Sequence, residues 1–326
     1  MTDAPIELSL FVSPAHEALG PLARGEIATP GLTLTVRYNP PETSAFGRDP
    51  FPACEMGLSR FVARTVRGDC PYVGIPAFVY RGFRHRMIFV RADSPFASVA
   101  DLRGAKVGIS GWSDSGNTWA KSLFTDASVE LDQVQWIDGP LDHPESERST
   151  NTAAEMPAHA RWLGAGRTLS DALRDGTIDA IVGGFPPAVF HAGSPWLRRL
   201  YRDHREAEER YFRTTSLYPV LHLIGVDRRV HERNPQVLAR LQAAVTASRA
   251  AWFEQARQWG GAAPWALNAF EEVATVLGPD WQEYGLASRA NRAAVEAFSR
   301  AQLKQGYVSA ALTADQIFAE YLRSAP

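Results

Sequence analysis

The stretch SVADLRGAKVGI, residues 98–109, is the part of the sequence that is most informative about the fold. Its first half predicts a short helix that ends at Gly104, and Lys106–Ile109 predicts a buried strand. A loop follows, and then a helix is predicted over Asn117–Phe124. Strands that alternate with helices in this way are typical of α/β proteins with mostly parallel sheets.

The same alternation continues on both sides of this stretch. Before it, the pattern predicts strands at Ile6–Val12, Leu32–Val36, Tyr72–Phe78 and Met87–Val90, and a helix at Met56–Val66. After it, strands are predicted at Val134–Ile137, Ile178–Val182, Arg198–Tyr201 and Tyr218–Val226. From Pro235 onward the pattern becomes helical. The sequence therefore predicts an α/β protein of two lobes.

Size and composition support two domains and exclude some partners. The chain has 326 residues, of which 45% are hydrophobic and 21% charged, as in ordinary globular proteins. The formal net charge is −2 and basic residues form no long run, so nucleic acid is not an expected partner. The sequence has no apolar run long enough to span a membrane and no signal peptide at Met1, so we expect a cytoplasmic protein that does not bind membranes.

Short motifs follow one another in a fixed order along residues 50–300. They are CEMGLS (54–59), RGDCPYVGIP (67–76), FVYRGFRH (78–85), DLRG (101–104), RTLS (167–170), IDAI (178–181), YPVLHL (218–223) and WQEYGL (281–286). The first three resemble the segments AEMSLS, RGDCPFVAIPVF and SRxFRH of the 4,5-dihydroxyphthalate decarboxylases, a family of enzymes related to solute-binding proteins. No single motif is decisive, but the ordered set is specific.

This resemblance implies a fold and an activity. The fold would be a two-lobed α/β fold of the periplasmic-binding-protein type (type 2), with mostly parallel sheets and a ligand cleft on the hinge side. Residues 1–92 and 218–326 would form lobe one, and residues 93–217 lobe two. The activity would be that of a carboxy-lyase without a cofactor, which decarboxylates a hydroxylated aromatic (di)carboxylic acid such as 4,5-dihydroxyphthalate. The expected partner is thus a small aromatic carboxylate. A homo-oligomer is compatible with the sequence, which leaves the oligomeric state open.

Decarboxylation of such a ring requires cations that hold carboxylates and an acid that protonates the ring carbon. The YRGFRH motif supplies both types of residue. Arg81 and Arg84 are candidates to bind the carboxylates of the substrate, and His85 is a candidate proton donor near neutral pH. The alternative is that the arginines form structural ion pairs and that the histidine packs inside the protein.

Three further candidates lie in other motifs. Glu55 precedes the predicted helix Met56–Val66, where it would act as the acid or base partner of His85 or would only stabilise the helix dipole. His222 interrupts an apolar strand, and it is either catalytic or a hydrogen-bonded core residue. Ser59 is a candidate hydrogen-bond donor to the substrate, with a helix-surface role as the alternative.

The segment after Lys106–Ile109 departs from the family pattern. Where the family has PEYQMTA, this chain has SGWSDSGNT (110–118), and where the family has Gly-Gly it has Gly139-Pro140. The segment precedes a predicted helix, whose first N–H groups can bind an anion. Substrate-binding candidates here are Trp112, Ser113, Asp114, Ser115 and Asn117, with N-capping and space filling as the alternatives. The departure leaves the exact substrate open.

No metal site is predicted. Cys54 and Cys70 form no CxxC pair and are expected to be structural, and the histidines lack metal-ligand spacing. A site assembled from distant residues such as His85, His222 and Glu55 stays open as an alternative. Two other functions also stay open, namely a binding protein for an aromatic acid without catalytic activity and a different enzyme on the same scaffold.

Overall fold

The structure is a computed structural model, which describes residues 4–14, 16–38, 46, 50–144, 156–157, 160–258 and 265–324. The chain divides into two compact units. The first comprises residues 1–81, 220–296 and 312–326, and the second comprises residues 82–219 and 297–311. Within the described ranges, no helix combines the length and the apolar character that crossing a membrane requires.

The first unit is built on a five-stranded sheet with the order β2-β1-β3-β11-β4. Its strands are β1 (Ile6–Val12), β2 (Leu32–Tyr38), β3 (Ala53–Gly57), β4 (Tyr72–Arg81) and β11 (Val220–Asp227). β1 is parallel to β2 and β3, whereas β11 is antiparallel to β3 and β4. Four of the five strands therefore run in one direction.

Helices cover this sheet. They are α1 (Gly20–Ala23), α2 (Leu58–Arg67), α7 (Arg228–Arg233), α8 (Val237–Gln258), α9 (Ala266–Leu277), α11 (Ala314–Ile317) and α12 (Ala319–Ser324), together with the first half of α10 (Arg289–Lys304). The helical spacing of Leu238, Leu241 and Val245 places them on the face of α8 that packs on β1 and β4 residues of the core. α2 ends at Gly68, whose φ of 75° is the left-handed conformation that glycine adopts readily.

The second unit contains a six-stranded sheet with the order β10-β5-β9-β6-β7-β8. Its strands are β5 (Ile88–Arg91), β6 (Lys106–Ile109), β7 (Gln135–Asp138), β8 (Arg161–Trp162), β9 (Ala180–Val182) and β10 (Leu197–Arg199). β5 is antiparallel to both of its neighbours, and the other strands are parallel to one another. Residues 98–109 thus provide a strand, β6, near the middle of this sheet.

Two cores surround the second sheet. Its helices are α3 (Ser115–Asp126), α4 (Leu169–Arg174), α5 (Ala188–His191) and α6 (His204–Thr215). On one side, Leu123 and Phe124 of α3 pack with Trp136 of β7. On the other, Leu169 and Leu173 of α4 pack with Ile181 of β9 and its neighbours. Apolar residues on both faces explain why these strands read as continuous hydrophobic runs.

The unit boundaries differ from the expected lobes in three places, of which the smallest is the shift of residues 218 and 219 to the second unit. Residues 82–92 belong to the second unit, because β5 pairs with β9 and β10 of that unit. Residues 297–311 also belong to it, so the chain enters the second unit twice. In this part of the chain Phe298 contacts Trp119 of α3, with ring centroids 5.5 Å apart.

The predicted helix Met56–Val66 begins too early. Residues Ala53–Gly57 form β3, and α2 starts only at Leu58. β3 is short but has partners on both sides, and tertiary pairing of this kind overrides the local helical pattern. Glu55 is therefore a strand residue in the sheet, and a role at the N-terminus of a helix is excluded.

Candidate active site

Glu55 of β3 is the centre of a small polar cluster in the first unit. Its side chain is 9% exposed, and one of its oxygens, Oε2, lies 2.6 Å from Nε2 of His16. The backbone N–H of Ser13 donates a hydrogen bond of 2.8 Å to the same oxygen. Nδ1 of His222 donates to the other oxygen, Oε1. His16, Glu55 and His222 are called the Glu55 cluster below.

The topology of the sheet brings these residues together. His16 follows the end of β1, Glu55 is close to the end of β3, and His222 is close to the start of β11. Because β1 and β3 are parallel and β11 is antiparallel to β3, the three positions meet at one edge of the sheet. Ligand sites of α/β proteins lie at this edge, beyond the carboxyl ends of the parallel strands.

The charge of Glu55 follows from its neighbours. Burial acts to raise the pKa of the carboxyl group, but the contacts with His16 and His222 outweigh it and hold the pKa of Glu55 well below its usual range. The side chain is therefore a carboxylate at neutral pH. Such an anion can accept a hydrogen bond from a substrate hydroxyl and can stabilise a proton on either imidazole.

His16 was not among the predicted site residues. It carries no motif, and only its position just after a parallel strand could have indicated a role. It is 5% exposed, and its Nε2 atom makes no hydrogen bond of acceptable geometry in the described part of the chain, although it lies close to Glu55. Tyr80 of β4 lies beside both histidines, with ring centroids 5.8 Å from His16 and 5.4 Å from His222.

Arg81 occupies the last position of β4, directly after Tyr80. Its guanidinium donates hydrogen bonds to Oδ1 of Asn291 and, at 3.4 Å, to the carbonyl oxygen of Trp281. It also lies over the ring of Phe78, 5.3 Å from the centroid. These contacts orient the side chain, and its predicted role in binding a carboxylate stays a prediction.

Arg249 of the first unit was not predicted as a site residue, because it lies within the long helix α8 and outside any motif. Arg249 lies over the ring of Tyr284, 4.3 Å from the centroid. Its Nε and Nη1 atoms are buried and have no hydrogen-bond partner among the described residues. Burial lowers the pKa of Arg249 from its ordinary value, but the group stays charged at neutral pH.

The Glu55 cluster has the donor types of a metal site. One ligand atom from each of its residues lies within 4.8 Å of the others. Two imidazole nitrogens and a carboxylate form a donor set that suits a divalent ion such as Zn²⁺. The metal site left open from the sequence consisted of His85, His222 and Glu55. In the cluster seen here His16 takes the place of His85.

The predicted residues His85 and Arg84 belong to the second unit. His85 is 6% exposed and lies between the rings of Tyr201 and Tyr211, whose centroids are 5.2 and 5.4 Å from its own. Burial lowers the pKa of His85 to about 4, and Arg210 and Arg86 lower it further, against the opposing effect of Glu208. The imidazole is therefore neutral near pH 7, which does not favour the predicted role as a proton donor. Glu55 contacts His16 and His222 of the first unit, and its predicted partnership with His85 stays a prediction.

Arg84 is 2% exposed and contacts backbone oxygens. Its Nη2 atom donates to the carbonyl oxygens of Gly183 at 2.5 Å and Gly184 at 3.2 Å. The guanidinium also lies close to the first turn of α3, where a Cβ atom added to Gly116 would be 2.7 Å from its Cζ. Arg84 thus holds the loop after β9, and a contact with a carboxylate stays a prediction.

The segment 110–118 leads into α3 and forms its first turn. Its polar side chains form hydrogen bonds with backbone groups at this end of the helix. Asp114 is the N-cap and accepts hydrogen bonds from the N–H groups of Gly116 and Asn117 at 2.7 and 3.2 Å. The side chain of Asn117 donates to the carbonyl oxygens of Ser110 and Gly111, both at 2.8 Å. These contacts correspond to the N-capping alternative. Ser113 and Ser115 are 5% and 2% exposed.

Trp112 is part of the core of the second unit. It is 2% exposed, its ring is perpendicular to that of Trp136 at 5.5 Å, and the Lys121 ammonium group lies 3.7 Å from its centroid. A ring enclosed in this way cannot stack on a substrate, so the structure corresponds to the space-filling alternative.

Ser59 and the two cysteines are also buried. Ser59 is 1% exposed in the first turns of α2. Cys54 and Cys70 are free thiols, and burial raises the pKa of Cys54 to about 12 and that of Cys70 above its usual value. Such thiols are unreactive at neutral pH, in agreement with the structural role expected from the sequence.

Comparison with known proteins identifies relatives of this chain. A curated 4,5-dihydroxyphthalate decarboxylase from Pseudomonas putida is 31% identical over 217 residues, which cover 65% of this chain and 83% of the relative. One from Comamonas testosteroni is 27% identical over 322 residues, or 96% of both chains. No model of a protein family matches the chain.

A solved structure supports the fold. The periplasmic aliphatic sulphonate binding protein SsuA from Escherichia coli superimposes with a TM-score of 0.57 at 16% sequence identity, covering 96% of this chain and 92% of its own. The predicted periplasmic-binding-protein-like α/β fold is thereby confirmed. Together with the similarity to the curated relatives over most of their length, this shows that the chain belongs to the 4,5-dihydroxyphthalate decarboxylase family.

Proposed function

We propose that this protein is a carboxy-lyase that removes one carboxyl group from a hydroxylated aromatic diacid such as 4,5-dihydroxyphthalate. The observation that carries the proposal is the buried carboxylate of Glu55 between two imidazoles at the carboxyl edge of the sheet. The names of the curated relatives support the reaction type and the substrate class. A role in the degradation of phthalate and other aromatic acids follows from this reaction.

The reaction exchanges a carboxylate for a proton without oxidation or reduction. A hydroxyl group para to the leaving carboxylate donates electrons to the ring, and the ring carbon that bears the carboxylate takes up a proton. The bond between this carbon and the carboxylate then breaks, its electron pair restores the aromatic ring, and carbon dioxide leaves. The protein must supply the proton and favour electron release from the hydroxyl group.

The Glu55 cluster has groups for both tasks. His222 is the exposed member, with 29% of its side chain accessible, and in the proposal its imidazole is the general acid that protonates the ring carbon. The carboxylate of Glu55 stabilises the protonated imidazole and accepts a hydrogen bond from the substrate hydroxyl. His16 is buried on the other oxygen of this carboxylate and keeps it in position.

Arginines hold the carboxylates of the substrate in this proposal. Arg81 lies next in sequence to Tyr80, whose ring contacts both histidines, and Arg249 has buried N–H groups without acceptors in the described part of the chain. The carboxylate that stays on the ring can bind such a cation at a distance from the reacting carbon. This contact orients the ring. Predicted contacts of Arg84, Ser59 and the start of α3 with the substrate stay untested.

Carbon dioxide release tests the proposal. Purified protein is incubated with 4,5-dihydroxyphthalate and a panel of related hydroxylated aromatic acids, and the gas and the remaining aromatic acid are quantified. The expected result is one carbon dioxide for each diacid consumed, with His222→Gln strongly impaired and still folded by circular dichroism. No release from any member of the panel would count against the activity.

A binding protein without catalytic activity is the second candidate, favoured by the structural similarity to a sulphonate binding protein. Tight binding of a panel member in a thermal-shift assay, without any release of carbon dioxide, would favour this function or a different reaction. A cytoplasmic location also stays a prediction, which cell fractionation can test.

A further inference from the structure

We propose that the Glu55 cluster binds a divalent transition-metal ion of the Zn²⁺ class, and that the bound ion inhibits the protein. The ligands are Nε2 of His16, the carboxylate of Glu55 and Nδ1 of His222, which lie within 4.8 Å of one another. Only the inhibition rests on the proposed decarboxylation. The binding itself rests on the geometry of the three side chains.

A metal ion would replace the direct contacts between the carboxylate and the two imidazoles, so ligand atoms such as Nε2 of His16 and Oε2 of Glu55, 2.6 Å apart, would separate by about 1 Å. Zn²⁺ binds imidazole nitrogen at about 2.0–2.1 Å and carboxylate oxygen at about 2.0–2.2 Å, so ligand atoms around a tetrahedral ion are about 3.5 Å apart. The atoms of the cluster lie within 4.8 Å of one another and around a single carboxylate. Three protein ligands leave a fourth position for water, as in open zinc sites.

His16 provides an independent observation. The residue is 5% exposed, and its Nε2 atom is buried without a hydrogen bond of acceptable geometry in the described ranges, although Oε2 of Glu55 is 2.6 Å away. A close contact that lacks the angle of a hydrogen bond stabilises the nitrogen less than a well-aligned hydrogen bond does. Coordination of a metal ion by the nitrogen lone pair would satisfy this atom.

The backbone holds the other two ligands in place. Glu55 is paired with Ile224 of β11, two residues from His222 in the same strand, so the separation of the two side chains is set by the sheet register. The N–H group of Ser13 donates to Oε2 of Glu55 at 2.8 Å and orients the carboxylate. Outer contacts of this kind position metal ligands in many sites.

Metal binding and the proposed proton transfer use the same side chains, His222 and Glu55. An ion on Nδ1 of His222 displaces the proton that this atom shares with Glu55, so the imidazolium that would give its Nε2 proton to the ring cannot form, and an ion on Glu55 removes the acceptor for the substrate hydroxyl. The ion therefore prevents the proposed acid from acting.

The binding test uses the full chain, freed of metal with a chelator and without an affinity tag. Zn²⁺ is titrated in competition with a chromophoric chelator. We expect one ion per chain, and binding weaker by more than about 100-fold in His16→Gln, which keeps a polar side chain but removes the imidazole ligand. His191→Ala, at an exposed histidine of the second unit, is the matched control and should bind as the wild type does.

The outcomes separate this inference from the proposed function. Equal affinity in the wild type and His16→Gln, or no stoichiometric binding, would overturn the metal site whether or not the protein releases carbon dioxide. Stoichiometric binding that depends on His16 supports the site even if no substrate is turned over. If carbon dioxide is released, one equivalent of Zn²⁺ should reduce the rate at least tenfold and excess EDTA should restore it, and an unchanged or increased rate would refute inhibition.

Discussion

The two units carry polar groups near the ends of parallel strands, but they use them differently. In the first unit, His16 and His222 converge on the carboxylate of Glu55. In the second unit, Asp114 and Asn117 follow β6 and are bonded to backbone groups at the start of α3. In the Glu55 cluster, titratable side chains contact one another. At the start of α3, the polar side chains instead form hydrogen bonds with backbone groups.

This difference indicates a catalytic role for the Glu55 cluster and a structural role for the start of α3. A carboxylate between two imidazoles is not needed to hold a strand in a sheet, and its burial is costly without a function or compensating contacts. An N-cap, in contrast, is an ordinary requirement of a helix. We therefore expect substitutions in the Glu55 cluster to affect turnover, and substitutions at the start of α3 to affect stability.

The largest expected effect is that of Glu55→Gln. The amide keeps the size of the side chain but cannot stabilise a protonated imidazole, so carbon dioxide release should fall by about 1,000-fold, within the range of general acid–base catalysis. Initial rates on 4,5-dihydroxyphthalate measure this effect.

The control for this substitution is Glu26→Gln, which removes an exposed carboxylate of the same unit that is paired with Arg24. It should leave the rate unchanged. Wild-type rates in folded Glu55→Gln would remove the Glu55 cluster from the mechanism.

The second prediction concerns pH and the second unit. The pKa of His85 is lowered from 6.5 to about 4 in the folded protein. The unfolded chain therefore takes up a proton between these values that the folded protein does not. The free energy of unfolding should therefore fall as the pH is lowered from 6.5 to 4, by about 1.4 kcal/mol per pH unit, or between about 3 and 4 kcal/mol in all, whereas His85 causes no such loss above pH 6.5.

Urea denaturation at several pH values measures this loss. In His85→Gln, the free energy of unfolding should fall less steeply over the same interval, although Glu208, Arg86 and Arg210 still surround the site. Parallel curves for the two proteins would show that the pKa of His85 is the same in the folded and unfolded states, and would restore it as a candidate acid.

The third prediction concerns the arginine at the end of β4. Arg81→Gln removes the cation proposed to hold a carboxylate, so the KM for a diacid should rise by about 10- to 100-fold, as for the loss of a charge-assisted hydrogen bond. Arg24→Gln, on the surface of the same unit, is the control. An equal loss of affinity for catechol, which has no carboxylate, would assign Arg81 a structural role through Asn291 instead.

The smallest effect is expected at the start of α3. Asp114→Ala removes the N-cap, so the free energy of unfolding should fall by about 1 kcal/mol while KM stays within about twofold of the wild-type value. Denaturation and steady-state kinetics on the same preparation compare the two quantities. A tenfold rise in KM at unchanged stability would transfer the anion-binding role to this helix start.

The sequence predicted the sheets better than the site. The strand Ile6–Val12 was predicted with the bounds that it has, because its alternation of buried and exposed residues is a local signal. The strand Ala53–Gly57 was missed, since its stability comes from β1 and β11, which are remote in sequence. The helix His204–Thr215 was also missed, although Asp203 is a typical N-cap and Arg205 pairs with Glu209 one turn later.

The same contrast applies to the candidate residues. Glu55 and His222 were selected through motifs, and the structure joins them by a hydrogen bond. His16 carries no motif, and its contact with Glu55 depends on the parallel pairing of β1 and β3, which the sequence does not specify. Trp112 was selected as an aromatic residue near a helix start, but burial against Trp136 is a tertiary property that its local sequence does not reveal.

The most direct test of the central claim is carbon dioxide release from 4,5-dihydroxyphthalate by metal-free protein in EDTA, compared with folded His222→Gln. We expect one carbon dioxide per diacid in the wild type, undiminished by the chelator, and a loss of about 100-fold or more in the variant. Release that requires added metal, or that is equal in the two proteins, would contradict the claim that the Glu55 cluster is the acid–base centre.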